Sequence, residues 1–317
     1  MDYVIGDAKQ AFIQNKLTNT SKVDNLLKGF KEMQCNGVRV PIFPTGLTPN
    51  VAMLEYFMEK ATEMGFEIFA NPEQGGGGSR VANESWTSGG VKDNPLKTQI
   101  LIDRVLQFDK MYPCKWINPF NEDAKTGSMW LAEQMNTLYS SVKTNVVNAE
   151  VIGSWAWGLT ASIDVFEKTN MKDYITDSTS HNLGFTHSKW AHFIEISHAA
   201  GLPVWDSEVN HSRKYADKST RLEAAIQYGV DGLVLYNTWE NIDLTSGVVN
   251  NGGYTMMSLY FKPVSLDNSK SLLGIADVYN EDNGFRVEFL TRSQNKSLNI
   301  MDISGKTIQQ YSQIPNS

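Results

Sequence analysis

Residues Val38–Ala70 read VRVPIFPTGLTPNVAMLEYFMEKATEMGFEIFA. Three segments of different period lie in this stretch. Val38–Phe43 is a short apolar run interrupted by one charge, Arg39, which is the pattern of a buried strand. Pro49–Met64 carries apolar residues at helical spacing, with Thr48 as an N-cap and Gly65 as the stop. Glu67–Ala70 returns to strand character. A strand, a helix and a strand with short connections make the unit from which parallel sheets are built.

The same alternation recurs on both sides. Upstream, Tyr3–Gly6 is a weak first strand, and Lys22–Met33 is a helix with Val23, Leu26, Leu27 and Phe30 at helical spacing. Downstream, the glycine run Gly75–Gly78 reads as a mobile loop. Helices follow at Pro95–Met111, Met129–Val146, Ile163–Thr169, His187–Ala200 and Ser219–Tyr228. Between them lie strands at Lys115–Phe120, Glu150–Ala156, Tyr174–Ser178, Pro203–Ser207 and Gly232–Tyr236. Eight such repeats are the number that closes a barrel. The sequence therefore predicts an α/β fold, a (β/α)8 TIM barrel, over residues 1–262. An open doubly wound sheet ranks lower: no glycine fingerprint follows the first strand, and Gly75–Gly78 lacks the Lys-Ser/Thr of a phosphate loop. In the region 263–317, Gly284–Leu290 and Ser297–Asp302 alternate with period two, and Asn283-Gly284 and Ser304-Gly305 are turn dipeptides. A small antiparallel β module is predicted there.

Composition narrows the function. The chain has 317 residues, with 28 basic and 35 acidic side chains and a net charge of −7, which argues against nucleic acid or an anionic membrane as partner. No apolar stretch approaches the ~20 residues of a membrane span. Eight Trp suggest flat apolar surfaces suited to sugar rings. Cys35 and Cys114 are not expected to pair, because a third strand should separate theirs. Met1-Asp2-Tyr3 does not begin a signal peptide, although a chain whose leader has been cleaved reads the same.

In such barrels the reactive side chains come from the C-terminal ends of the strands. Those ends carry Asn71-Pro72-Glu73-Gln74, Asn121-Glu122-Asp123, Trp155 and Trp157, Ser180-His181-Asn182, Glu208-Val209-Asn210-His211 and Asn237-Thr238-Trp239-Glu240, with Arg39 inside the second strand. Glu122 and Glu208 end strands that are three apart. Glycoside hydrolysis needs one carboxyl group to protonate the leaving oxygen and another to attack the anomeric carbon or activate water. Arg39, permanently charged, is suited to hold a carboxylate ionised in a bidentate pair. Glu73, His181, His211, Trp86 and Trp157 are candidate substrate contacts, and Trp130 a candidate platform. Asp206, two residues before Glu208, is read as pointing inward as a structural partner. Neither a metal nor a cofactor is expected. A metal-dependent barrel hydrolase would use His181, Asp206, Glu208 and His211, but these are not spaced as a compact set and no His-x-His follows the first strand. A non-catalytic carbohydrate-binding protein is the other alternative, and it leaves the glutamate pair unexplained.

Asn121-Glu122 after the fourth strand and Glu208 after the seventh resemble the large clan of retaining (β/α)8 glycoside hydrolases that contains cellulases, β-mannanases and β-galactosidases. The resemblance covers about residues 1–262. It implies that Glu122 is the acid/base, Glu208 the nucleophile, Asn121 a partner of the sugar 2-hydroxyl, Arg39 the residue orienting the nucleophile and Trp239 an aromatic platform. His181 lies where the clan often has a His or Tyr. Asp123 departs from the pattern. The expected activity is double-displacement hydrolysis of a β-linked polysaccharide, with endo action suggested by the long loops carrying Gly75–Gly78 and Trp86. The expected protein is a monomer that is secreted, periplasmic or on the cell surface. Ser297–Thr307 is similar to C-terminal β modules that direct export in Bacteroidetes-type bacteria, but an ordinary accessory sheet accounts for it more simply.

Overall fold

The computed structural model describes residues 3–123, 125–181, 187–209 and 221–250, together with the backbone of four strands between 276 and 311. Parallel strands run β1 (Tyr3–Asp7), β2 (Gly37–Ile42), β3 (Glu67–Pro72), β4 (Trp116–Ile117), β5 (Glu150–Val151), β6 (Gly153–Ala156), β7 (Ser178–Ser180), β8 (Val204–Val209) and β9 (Gly232–Leu235). Their lateral order is β5-β4-β3-β2-β1-β9-β8-β7-β6. The terminal members of that order, β5 and β6, are two halves of the expected fifth strand, parted only by Ile152. The Ile152 amide donates to Ile117 on one side, and the next amide, Gly153, donates to Asp177 on the other. The sheet thus begins and ends on one stretch of chain, and the ring closes as a (β/α)8 barrel.

Helices α1 (Lys9–Ile13), α2 (Thr20–Glu32), α3 (Val51–Glu63), α4 (Gly77–Asn83), α5 (Pro95–Met111), α6 (Ala132–Asn145), α7 (Leu159–Lys168), α8 (Trp190–Ala199) and α9 (Arg221–Tyr228) connect the strands. Three of them, α2, α3 and α5, start after a polar cap: the side chains of Asn19, Asn50 and Asn94 accept from the amides of Lys22, Met53 and Lys97. Asn50, not Thr48, caps α3, because the helix starts at Val51, next to Asn50. Gly65 follows α3 with φ +73°, a left-handed conformation that a side chain disfavours.

Side chains alternate across each strand. Val38, Val40, Ile42, Ile68, Ala70, Ile117, Val151, Val204 and Leu233 face outward, in the same apolar cluster as Leu26, Phe30, Phe57, Leu101 and Leu138 of the helices. A second cluster, Ile5, Phe69, Trp116, Ile152, Trp205 and Val234 with Tyr3, fills the inside of the ring. Its aromatic rings meet edge to face, Tyr3 and Trp116 at 4.6 Å and Trp116 and Trp205 at 4.9 Å. Two residues further along the same inward faces, the character changes to Asp7, Asn71 and Asn118, all buried. The barrel therefore has an apolar floor and a polar mouth.

The sixth strand differs from expectation. It is Ser178–Ser180, not Tyr174–Ser178. Tyr174 and Ile175 pack on the outer cluster, whereas Ser178 takes the place in the ring beside Val204. A strand of three small hydroxyl residues has no apolar period to read. Beyond the barrel, β10 (Ala276–Glu281) pairs antiparallel with β11 (Gly284–Phe289), and β12 (Leu298–Met301) with β13 (Thr307–Tyr311). The expected domain boundary at 262/263 lies outside the described residues. Cys35 and Cys114 are both buried and free. Among the described residues no helix is long and apolar enough to cross a membrane.

Truncating the floor should be costly. Trp205→Ala is expected to lower the unfolding free energy by about 3–5 kcal/mol, read as a fall in the urea midpoint. A loss below about 1 kcal/mol would mean that the aromatic floor is not a packed layer.

Candidate active site

Arg39 is the centre of the polar mouth. It stands on β2, fully buried, and a buried guanidinium must have its donors met. Its Nε donates to Asn71 Oδ1 at 3.0 Å, Nη2 to Asn121 Oδ1 at 2.8 Å and Nη1 to Glu208 Oε1 at 2.6 Å. Asp7 Oδ2 lies 3.6 Å from the same Nη1. One side chain thus ties together the ends of β1, β2, β3, β4 and β8.

Glu208 reaches this cluster through an irregularity in its strand. Trp205 packs inside the ring and Val209 outside it. Regular alternation between them would leave Asp206 outside, Ser207 inside and Glu208 outside. The register of β8 against β9 shifts between Asp206 and Val209, which returns Glu208 to the mouth. Asp206 therefore lies on the opposite face, where burial raises its pKa while the charge of Arg221 on α9 acts to lower it. This corrects the expected inward orientation of Asp206.

Glu122 is presented by the glycine run. Its φ is +58°, a left-handed conformation uncommon for a side-chain-bearing residue. The amides of Gly76 and Gly77 donate to the carbonyls of Glu122 and Asn121. A Cβ on Gly75 would lie 2.8 Å from Glu122 Oε2, and one on Gly78 would lie 2.9 Å from Phe120 and from the Pro119 carbonyl. The run is therefore a close-packed collar that enters α4, not the mobile loop expected. Its glycines are there for close approach. Asp123 closes the collar: its carboxylate accepts from the amides of Gly78, Ser79 and Asn121 and from Trp130 Nε1, at 2.8, 2.8, 3.0 and 3.0 Å. This buried structural role accounts for the departure at Asp123, and it places Trp130, fully buried, outside any sugar-binding surface.

His181 follows β7 and joins the two glutamates. Its Nδ1 lies 3.0 Å from Glu122 Oε1 and 3.2 Å from Glu208 Oε2. One carboxylate oxygen of each glutamate and this nitrogen all fall within 4.8 Å of one another. The glutamates differ in surroundings: the Glu122 side chain keeps 17% of its exposure and that of Glu208 only 8%. Burial by itself would raise the Glu208 pKa, but His181, Arg39 and Lys9 outweigh it and hold the carboxyl at about 2. A metal ion could find three ligands here, yet Arg39 and Lys9 already bring cationic charge to Glu208, at 2.6 and 4.0 Å. The four-residue metal set considered from sequence is not assembled, because Asp206 faces the other way. Its last member, His211, lies outside the described residues.

The structure thus brings Arg39, Asn121, Glu122, His181 and Glu208 together. Glu73 is fully buried and paired with Arg80 at 3.4 Å, and burial raises its pKa. Trp157 and Trp86 are 51% and 44% exposed, and Trp86 sits edge-on to Phe43. Trp239 is 9% exposed, belongs to the outer apolar cluster and donates its indole N–H to Asn237, so little of its ring is available. Sequence reasoning missed Asp7, Lys9 and Asn71 as members of the site. The signal for Asp7 and Lys9 was the charge-rich Asp7-Ala8-Lys9 directly after a weak strand, and that for Asn71 its place at the end of the third strand. Tyr236 was also missed: burial, then the charges of Glu208 and Asp7, push its hydroxyl up to about 12.

No family model matches the sequence, and no curated protein is similar to it. Solved structures are. A GH30 endoxylanase from Clostridium papyrosolvens aligns with TM-score 0.54 and 12% identity over 100% of this chain and 92% of that one. The shared fold is the (β/α)8 barrel. A GH5 protein from Streptomyces cattleya in complex with Manb1-4GlcNAc gives TM-score 0.54 and 11% identity, over 79% of this chain and 76% of that one. A GH10 endoxylanase retrieved from a sugarcane soil metagenome gives 0.50 and 10%, over 74% and 84%. At such identities the likeness establishes the shared barrel, and the site must speak for the chemistry.

Two expectations follow. Asp123→Ala strands three buried amides and an indole N–H, and should cost about 3 kcal/mol or more in a denaturant melt, with Asp123→Asn losing less. The second concerns acid stability. The folded pKa of Glu208 lies below its unfolded value, so its ionisation contributes stability that is complete above about pH 4.5 and is lost as the pH falls towards 2. The stability difference between the parent and Glu208→Gln, measured by urea unfolding across that interval, should shrink with falling pH. A constant difference would contradict the assigned environment.

Proposed function

We propose that the chain is a retaining glycoside hydrolase acting on a β-linked polysaccharide by double displacement, with Glu122 as acid/base and Glu208 as nucleophile. The observation that carries this reading is the approach of the two carboxylates, with oxygens within 4.8 Å across the barrel mouth. Retaining enzymes hold their carboxyl groups about 5–5.5 Å apart, whereas inverting enzymes leave about 6.5–9.5 Å for a water molecule.

The surroundings suit the two roles. Glu208, held ionised by Arg39, His181 and Lys9, attacks the anomeric carbon. Glu122, the more exposed of the pair, gives its proton to the departing glycosidic oxygen and then takes one from the water that releases the glycosyl-enzyme. His181, set between the carboxylates, orients both. Asn121 is placed to donate to the sugar 2-hydroxyl. Trp157 and Trp86 offer exposed rings for further sugar units, which fits endo cleavage of a polymer, and Trp239 contributes at most an edge. An enzyme of polymeric glycans works where those polymers are, so we place it outside the cytoplasm, and the site needs neither a metal nor a second copy of the chain.

Incubation with plant and algal polysaccharides, followed by detection of new reducing ends, tests the activity. Glu122→Ala and Glu208→Ala should each cut turnover by about 10³-fold or more while the protein stays folded. Proton NMR of the first product should show the β anomer. Full turnover in either variant, or an α product, would refute the assignment. Sugar binding without any reducing ends would make the chain a carbohydrate-binding protein instead.

A further inference from the structure

We infer that Lys9 is a positioning residue of this site: its ammonium group locks Asn121 as a donor towards the sugar, and it shares with Arg39 the task of keeping Glu208 ionised. The first half rests on the function proposed above. The second rests on the geometry alone.

A lysine is almost never fully buried unless its charge is matched. Lys9 is 1% exposed, at the first residue of α1, and its amide is held by Asp7 Oδ1 at 3.0 Å. Its Nζ donates to Asn121 Oδ1 at 2.9 Å and to the Pro72 carbonyl at 3.3 Å, and lies 4.0 Å from Glu208 Oε1. Asn121 Oδ1 therefore faces three donors, from Lys9, Arg39 Nη2 and Asn71 Nδ2. An amide whose oxygen is engaged in this way cannot be turned over without setting its own N–H groups against three donors. Its Nδ2 is left as a fixed donor, the role a sugar hydroxyl would use.

The charges point the same way. Arg39 Nη1 is shared between Glu208 at 2.6 Å and Asp7 at 3.6 Å, so one guanidinium serves two buried carboxylates. Lys9 brings a further charge to Glu208, at 4.0 Å, beside the His181 imidazole at 3.2 Å. The charged groups around its ammonium are Asp7 from β1, Arg39 from β2, Glu73 after β3, Glu122 after β4 and Glu208 from β8. Burial and the Arg39 charge bring the Lys9 pKa down to about 7, against the raising effect of Glu208, Asp7 and Glu122. Such a cost is tolerable where the charge serves a purpose in the site.

The test uses the full chain with Lys9→Met, Lys9→Gln and Lys9→Arg. Carbon-13 NMR of the Glu208 carboxyl, assigned with Glu208→Gln, gives its titration midpoint. Lys9→Met and Lys9→Gln should raise that midpoint by about one pH unit, and Lys9→Arg should leave it near the parent value. An unchanged midpoint in either neutral variant, folded, overturns the Glu208 half. An aryl β-glycoside that the parent cleaves and its 2-deoxy counterpart test the other half. Lys9→Met should lower kcat/KM about 10–100-fold on the first and far less on the second, and should add little to the loss already caused by Asn121→Ala. Equal losses on both substrates, or additive losses with Asn121→Ala, overturn it. If the parent cleaves no glycoside, the proposed function falls, while the titration still decides the role of Lys9. Should Lys9→Met not fold, Lys9→Gln carries both arms.

Discussion

The site depends on one buried cation. Arg39 is on a barrel strand with no access to water, so each of its nitrogens must be paired inside the protein. The partners that meet this demand come from other strands: Asp7, Asn71, Asn121 and Glu208. Satisfying one guanidinium therefore fixes where β1, β3, β4 and β8 deliver their terminal side chains. The aromatic floor beneath, Tyr3 with Trp116 and Trp205, fills the ring so that these groups cannot sink further into it. Apolar packing below and charge pairing above set the depth of the mouth.

The two glutamates are held by different means. Glu208 is fixed by charge, with Arg39, His181 and Lys9 favouring its ionised form over the opposing effect of burial. Glu122 is fixed by backbone. Its left-handed φ, the glycine collar against its carboxylate and the four donors on Asp123 place it. One carboxylate is bound into an ionic network and the other is left nearer solvent. The roles proposed for the pair rest on this difference in environment.

The glycine run shows how composition can mislead. Four consecutive glycines suggest mobility because glycine is the least restrained residue in isolation. Here Gly75, Gly77 and Gly78 each stand where a Cβ would meet another atom at 2.7–2.9 Å. The same residue type that permits motion in an open chain permits contact in a packed one. Only the neighbours, distant in sequence, decide between the two.

The alternation of apolar runs and helical spacings from Tyr3 to Tyr236 determined the barrel, because each element's period reflects its own local geometry. Strand ends rich in Asn, Glu, His and Trp likewise marked the mouth with Glu122, Glu208 and His181, while Arg39 stood out as the lone charge inside a strand and the family resemblance added Asn121. Ser178–Ser180 escaped that reading, since small buried hydroxyl residues have no apolar signature. Asp206 was misplaced, since a strand irregularity breaks the two-residue alternation on which inward and outward are assigned. Lys9, Asp7 and Asn71 join the site through partners distant in sequence, 112 positions for Lys9 with Asn121, 230 for Asp7 with Asn237 and 50 for Asn71 with Asn121. Local pattern determines which elements form; the pairing of buried charges across the ring, which only the closed tertiary structure brings about, decides which side chains act together.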